Sequence, residues 1–179
     1  QLINSDINNG EHLCSICKIN DNQFVTSSNS HLDQGNNVLR FFDENYKNTD
    51  SIYGISCSEL ANTICQINEK YLAVALQKWK ENQIRGIAIL DIFSKKIIKT
   101  IVSDAMTFIS ELNGEYIITG ERDNAKKSIM RIWKVEDGGN IKQLFKVCTN
   151  QNDAITSIIL LKNGYFLSSN YDSSIVVMK

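Results

Sequence analysis

Four short apolar runs end at Ile19, Ile67, Leu112 and Leu161, spaced 48, 45 and 49 residues apart. Each is followed by an Asn-containing turn, at Asn20, Asn68 and Asn113, and at Asn163 one place later. Each turn leads into an aromatic residue: Phe24, Tyr71, Tyr116 and Tyr165. A later apolar run recurs in the same order, anchored at Val38, Ile87, Ile129 and Ile175. A unit of this length cannot bury its apolar face alone, so the copies must stack. The 179 residues hold a near-integral four such units, approximately 1–43, 51–92, 97–135 and 141–179, which together read as a single domain 1–179.

The period inside each unit is two rather than 3.6. The segments 128–135 (SIMRIWKV), 116–121, 88–93, 96–102 and 173–179 are short and β-branched, as half-buried strands are. Asn113-Gly114 and Asn163-Gly164 lie between apolar runs and are hairpin signals, because both residue types tolerate positive φ. Proline is absent, so Gly, Asn, Asp and Ser must make every turn. The stretch 59–70 is the one candidate for a helix, but Thr63, Ile64 and the repeat register favour a strand. The chain opens on an outer strand, 2–7, followed by 12–19, 23–28 and 37–43. The second unit uses 51–57, 61–67, 71–77 and 86–92. The third uses 97–102, 105–112, 116–122 and 128–135, and the fourth 141–148, 154–161, 165–170 and 174–179. An all-β chain of about four such units, each of four antiparallel strands, reads as a β-propeller.

The residues of the later strands resemble the WD-repeat β-propeller family. Residues 164–179 (GYFLSSNYDSSIVVMK) are similar to the second half of such a repeat: a Ser pair ends one strand, Asp172 sits in the tight turn, and an apolar strand follows. Trp133 stands at the family's Trp position, with Lys134 in place of the usual Asp. Phe42-Asp43, Leu90-Asp91 and Met178-Lys179 hold the same place in the other units. The Gly-His pair of the family is missing, with His12 its nearest remnant. The resemblance implies a Trp packed on its blade beside a buried network of His, Ser/Thr and Asp. With the His gone, it implies blades held by β-branched packing and leaves Asp123 and Asp172 without their usual partner. It also implies seven or eight blades. Four units are therefore expected to be part of a larger ring, completed by a missing segment or a second chain, with a free-standing four-bladed ring ranked below, because an open propeller exposes apolar faces and unpaired edges.

The net charge of −1 provides no field that would recruit nucleic acid or an anionic membrane. No run of 18 apolar residues, signal peptide or N-x-S/T sequon occurs, and the five cysteines lack disulfide-scaffold spacing. These features predict an intracellular, cytoplasmic chain, with a cytoskeletal setting as a variant. The opening Gln1 reads as a fragment or a processed product.

Cys14-Ser15-Ile16-Cys17 is a CxxC, but it lacks a second ligand pair. Cys57 and Cys65 are eight apart on different strands, so packed thiols and no metal are expected. His31 lies near Asp33, Ser27, Ser28 and Ser30 in a polar loop and reads as solvated rather than as a hydrolytic triad. No phosphate-cradling Gly-rich motif occurs, and no cofactor is implied. The loop 78–85 (KWKENQIR) places Trp79 between Lys78 and Lys80, with Arg85 close, a composition typical of interface hot spots. Packing of Trp79 over its own blade edge is the competing reading. Lys126 and Lys127 offer a second basic tip. The expected function is a non-catalytic scaffold that binds other proteins through Trp79, Lys78, Lys80, Arg85, Lys126 and Lys127. A structural segment of a large cytoskeletal or ciliary assembly is the alternative, and a propeller enzyme ranks last.

Overall fold

The computed structural model describes residues 11–30, 38–53, 55, 63–76, 85–123, 125–149 and 154–179. The predicted strand 2–7, His31, Cys57, and the loop residues Lys78, Trp79 and Lys80 lie outside the described residues. The described chain is all-β, with one 3-10 turn (Asp137–Gly139). Its fifteen strands form four antiparallel sheets. Sheet I is β1 (Glu11–Asn20), β2 (Gln23–Ser30), β3 (Val38–Phe42) and β4 (Asn48–Tyr53). Sheet II is β5 (Ile64–Gln66), β6 (Tyr71–Leu76), β7 (Gly86–Asp91) and β8 (Lys96–Val102). Sheet III is β9 (Ala105–Glu111), β10 (Tyr116–Arg122), β11 (Ser128–Val135) and β12 (Ile141–Cys148). Sheet IV is β13 (Ile155–Leu160), β14 (Phe166–Asn170) and β15 (Ile175–Met178).

Sequence repeats and sheets are out of phase by one strand. The segments expected to open the second, third and fourth units pair instead with the strand before them: β4 with β3, β8 with β7, and β12 with β11. The fourth strand of each complete sheet thus comes from the start of the next sequence unit, and β4 lies at Asn48–Tyr53 rather than 51–57. A short turn between third and fourth strands explains this grouping. In sheet I the Asp43 carboxylate accepts the backbone N–H groups of Asn45 and Lys47, each at 2.9 Å. In sheet II the Asp91 carboxylate accepts the Ser94 N–H at 2.7 Å. Each Asp lies at the end of its strand and folds the chain straight back, replacing Pro as the turn-former.

The sheets stack in chain order. Ile19, Val25, Leu39 and Phe41 of sheet I pack on Ile64, Leu72, Val74 and Leu90 of sheet II. The opposite face of sheet II, with Ala73, Ala75, Ile87 and Ile89, packs on Met106, Ile109, Ile117 and Trp133 of sheet III. Phe108, Ile118 and Met130 then meet Ile155 and Ile158 of sheet IV. The first strands neighbour one another in series, β1 with β5, β5 with β9 and β9 with β13. Polar links also cross between sheets. The Ser27 and Thr63 hydroxyls pair at 3.0 Å, the Thr107 hydroxyl donates to the Ile155 carbonyl at 2.7 Å, and the Lys95 ammonium lies 3.4 Å from the Asp50 carboxylate. Among the described residues the four sheets do not close on themselves.

The first hairpin shows a one-residue slip. In sheets II, III and IV the backbone N–H of Ile67, Leu112 and Leu161 donates to the carbonyl of Tyr71, Tyr116 and Tyr165. In sheet I, Asn20 pairs with Gln23 across Asp21-Asn22. Phe24 therefore corresponds to Leu72, Ile117 and Phe166, and not to the tyrosines. Its ring stacks on Phe42 at 4.9 Å. A shift of one residue exchanges the two faces of a strand, so the slip decides which residues are equivalent. Phe42, Leu90, Trp133 and Met178 then pair with Phe24, Leu72, Ile117 and Phe166 in the same way. At both Asn-Gly turns only the glycine takes positive φ, +80° at Gly114 and +81° at Gly164.

Candidate functional site

The end of each second strand faces the start of the third strand at one end of its sheet, at Ser28 and Val38, Leu76 and Gly86, Arg122 and Ser128, and Ser169 and Ile175. This end carries the described members of the expected contact set. Arg85 is exposed immediately before β7, and its carbonyl accepts the Ser103 N–H at 3.1 Å. Lys126 and Lys127 are exposed at the β10–β11 tip. Asp123 holds that tip. Its carboxylate accepts the Lys127 N–H at 2.8 Å and its carbonyl accepts the Lys126 N–H at 3.0 Å. The Asp123 N–H donates to the Lys127 carbonyl at 3.0 Å, and Lys126 sits at φ +64°. Asp123 is thus a turn-former, not part of a buried network. Asp172 plays the same part at the β14–β15 turn, accepting the Ser174 N–H at 2.9 Å. The Ser174 hydroxyl, together with that N–H, holds the Asp172 carboxyl below its ordinary 3.8.

A buried polar network does exist, built from residues outside the predicted set. The Trp133 indole N–H donates to the Thr119 hydroxyl at 3.0 Å. Thr119 donates to Glu121 Oε1 at 2.7 Å, and Ser103 Oγ donates to Glu121 Oε2 at 2.7 Å. Arg131 Nη1 donates to Glu121 Oε2 and to Ser103 Oγ, and its Nη2 donates to Asp104 Oδ2 at 2.6 Å. The Arg131 guanidinium also lies 5.9 Å from the centre of the Trp133 ring. Glu121 is fully buried and Arg131 is 6% exposed. Burial acts to lower the Arg131 pKa, but the Glu121 and Asp104 carboxylates outweigh it, so the guanidinium sits above its ordinary value. A permanently charged Arg is suited to this place, since it can bond two carboxylates with one planar group.

The network is legible in hindsight from the period of two. Thr119 and Glu121 share one face of β10, and Arg131 and Trp133 share the facing positions of β11. Opposite charges on the inward face of adjacent strands are the mark of a paired buried network. The nearest remnant expected for the family's His, His12, is on β1 in another sheet. In sheet IV, Ser168 and Asn170 stand where Thr119 and Glu121 stand, opposite Ile158 and Ile155, but Val176 replaces the Arg. There Ser168 Oγ and Asn170 Oδ1 are buried without hydrogen-bond partners.

Cys14 and Cys17 of the CxxC are both half-buried free thiols on β1. Cys17 faces sheet II, and burial raises its thiol pKa; burial also pushes the Cys65 thiol well up, with Cys17 adding to the effect. Such thiols are poor nucleophiles. Among the described residues no group of three or more His, Cys, Asp or Glu is placed to hold a metal ion. Away from the loop end, an apolar groove of about 510 Å³ opens between sheets III and IV, lined by Ile132, Leu144, Phe145, Leu160, Phe166 and Met178, among others. It lies on the side where sheet IV carries no fourth strand among the described residues. Among the described residues no helix is long and apolar enough to cross a membrane.

The class of structure is therefore an all-β series of antiparallel sheets, each packed face to face on the next. A solved structure described as the eukaryotic initiation factor has a similar fold, with a TM-score of 0.55 and 15% sequence identity, over 83% of this chain and 35% of that one. The chain spans about a third of that protein's length, and the likeness is one of fold alone. No protein-family model matches the chain, and no curated protein matches it.

Proposed function

We propose that the chain is a non-catalytic protein-interaction scaffold, its sheets serving as WD-like blades of a β-propeller that belongs to a larger ring. The observation that carries this reading is the pre-set loop end. Three hydrogen bonds fix the Asp123–Lys127 tip, and Ser103 ties Arg85 to the Glu121–Arg131 network. A tip already held in one conformation loses little entropy when a partner docks on it, so its cations are spent on contact rather than on ordering. Arg85, Lys126 and Lys127 would meet an acidic surface, with rim charges setting mainly association rate and salt dependence. Trp79, flanked by Lys78 and Lys80 in the same second-to-third-strand connection as Arg85, is the proposed aromatic anchor.

The experiment is quantitative affinity capture with the full chain, comparing wild type with Lys126→Glu/Lys127→Glu and with Trp79→Ala. The reading predicts loss of specific partners at an unchanged melting temperature. Identical partner recovery from all three proteins would overturn it. A Trp79→Ala protein that loses partners and stability together would return that residue to a packing role.

A further inference from the structure

At the end of the sheets opposite the second-to-third-strand connections, the turns between third and fourth strands treat the gaps between sheets differently. In sheet III the paired residues Lys134 and Lys142 are joined by 135–141, whereas their counterparts in sheet II, Asp91 and Lys96, are joined by 92–95 alone. The longer turn contains the 3-10 segment Asp137–Gly139, which lies down on sheet II. Gly139 is buried there, and a Cβ on it would collide with Ile98 and crowd Ile89. The shorter turn does not seal the gap between sheets I and II in this way. Its Phe93 stands out at 76% exposure, and a cleft of about 400 Å³ remains between the two sheets.

Buried Ile19, Phe41 and Ile92 give this cleft an apolar lining. Two side-chain amides line it as well, Gln23 from sheet I and Gln66 from sheet II. Gln23 Oε1 already accepts from Asn20 Nδ2 at 3.1 Å, so this amide has its N–H groups to offer. Gln66 Nε2 already donates to the Asn68 carbonyl at 3.0 Å, so this amide has its oxygen to offer. Lys95 also lines the cleft, but its ammonium lies 3.4 Å from the Asp50 carboxylate and 5.3 Å from the centre of the Phe41 ring. Its charge is therefore balanced. Glu69 is exposed at the rim and has no ion-pair partner among the described residues, which leaves the cleft with one unbalanced negative charge.

We infer that this cleft docks an extended peptide segment of a partner protein, with an apolar side chain against Ile19, Phe41 and Ile92 and an adjacent Lys or Arg toward Glu69. A neutral donor and a neutral acceptor from facing sheets are what the carbonyl and N–H of a peptide group require. The volume lies at the lower end of the range for ligand sites, about 300–1,000 Å³, and suits a short motif of one or two side chains. A nucleic acid fits less well, because its phosphates would meet Glu69 and the cleft has no unpaired cation to offer. The inference stands on the cleft and not on any role of the loop end. A partner held here and a partner held at Arg85, Lys126 and Lys127 would occupy opposite ends of the sheets.

The test is a titration of the isotope-labelled full chain with capped peptides, followed by nuclear magnetic resonance. Acetyl-Gly-Phe-Arg-Gly-amide should shift the side-chain amide signals of Gln23 and Gln66. Acetyl-Gly-Phe-Glu-Gly-amide should bind about fivefold more weakly, the scale of one exposed ion pair. Glu69→Lys should reverse that order at an unchanged melting temperature, since Glu69 is exposed. Lys126→Glu/Lys127→Glu should bind the Arg peptide like wild type, which separates this site from the loop end. Absence of shifts at Gln23 and Gln66 with the Arg peptide, or an order of affinities that Glu69→Lys leaves unchanged, would overturn the inference. So would a short oligothymidylate that moves the same signals at lower concentration than the peptide does.

Discussion

Sheets II and III solve one packing problem with opposite chemistry. On the face turned toward the preceding sheet, sheet II presents Leu72, Val74, Leu76, Ala88 and Leu90, all buried and apolar. At the same register positions sheet III presents Ile117, Thr119, Glu121, Arg131 and Trp133. The first set is held by contact alone. The second is held by a chain of hydrogen bonds from an indole to a hydroxyl, a carboxylate, a guanidinium and a second carboxylate. The second and third strands pair in the same register in both sheets, so the β-ladder and the inward alternation set the frame, and the polar network is one way of filling it. Each unpaired member of such a network carries a desolvation penalty, and here Arg131 Nε is buried without a hydrogen-bond partner while both terminal nitrogens are paired.

The contrast can be tested from its most fragile point. Glu121→Ala leaves Arg131 buried with only Asp104 and Ser103, and should cost about 3–5 kcal/mol, the range for breaking one half of a buried ion pair. Denaturant unfolding would measure it, and a cost below about 1 kcal/mol would mean that the pair is not desolvated in solution. Leu90→Ala, the apolar counterpart in sheet II, removes a fully buried side chain and should cost about 3 kcal/mol through lost transfer energy and a cavity. Trp133→Phe keeps most of the ring but removes the donor to Thr119. It should cost about 1 kcal/mol, as a single neutral hydrogen bond does, and Leu90→Met should cost no more than that.

Much of this frame is legible in the amino-acid sequence. The segments 116–122, 128–135 and 141–148 are strands at the expected positions because alternation and β-branching are unbroken there. Grouping into sheets is not legible, since a repeat fixes the period but not the phase, and the phase depends on turns such as Asp43–Lys47 that reverse the chain onto its predecessor. The alignment of Phe24 with the tyrosines fails for a similar reason: the Asp21-Asn22 hairpin is built differently from the three that follow, and one residue of slip exchanges the faces. Within the site, the position of Arg85, Lys126 and Lys127 between strands places them at the loop end. Glu121 and Arg131 escape a family pattern of His and Asp, because here the ionic pair sits within the strands.

The smallest expected effect lies at the turns that set the phase. Asp91 follows Leu90 in sheet II, where Lys134 follows Trp133 in sheet III. The Ser94 N–H holds the Asp91 carboxyl below its ordinary 3.8. The folded-state value is depressed, so this contribution is present above about pH 4 and is lost as pH falls through the lowered value. The melting temperature of Asp91→Asn should lie slightly below that of wild type at neutral pH, and the gap should close on acidification. A gap that widens in acid would reverse the assignment.

The most direct test of interchangeable fillings in one frame is a transplant. Thr119→Val, Glu121→Leu, Arg131→Ala and Trp133→Leu together give sheet III the residues that sheet II carries at Val74, Leu76, Ala88 and Leu90. The quantity to measure is the cooperativity and midpoint of unfolding for this fourfold variant beside Glu121→Ala alone. The account predicts a single cooperative transition for the fourfold variant, with a midpoint well above that of Glu121→Ala. Loss of cooperative unfolding, or a midpoint at or below that of the single variant, would mean that the polar network defines sheet III and does not merely fill it.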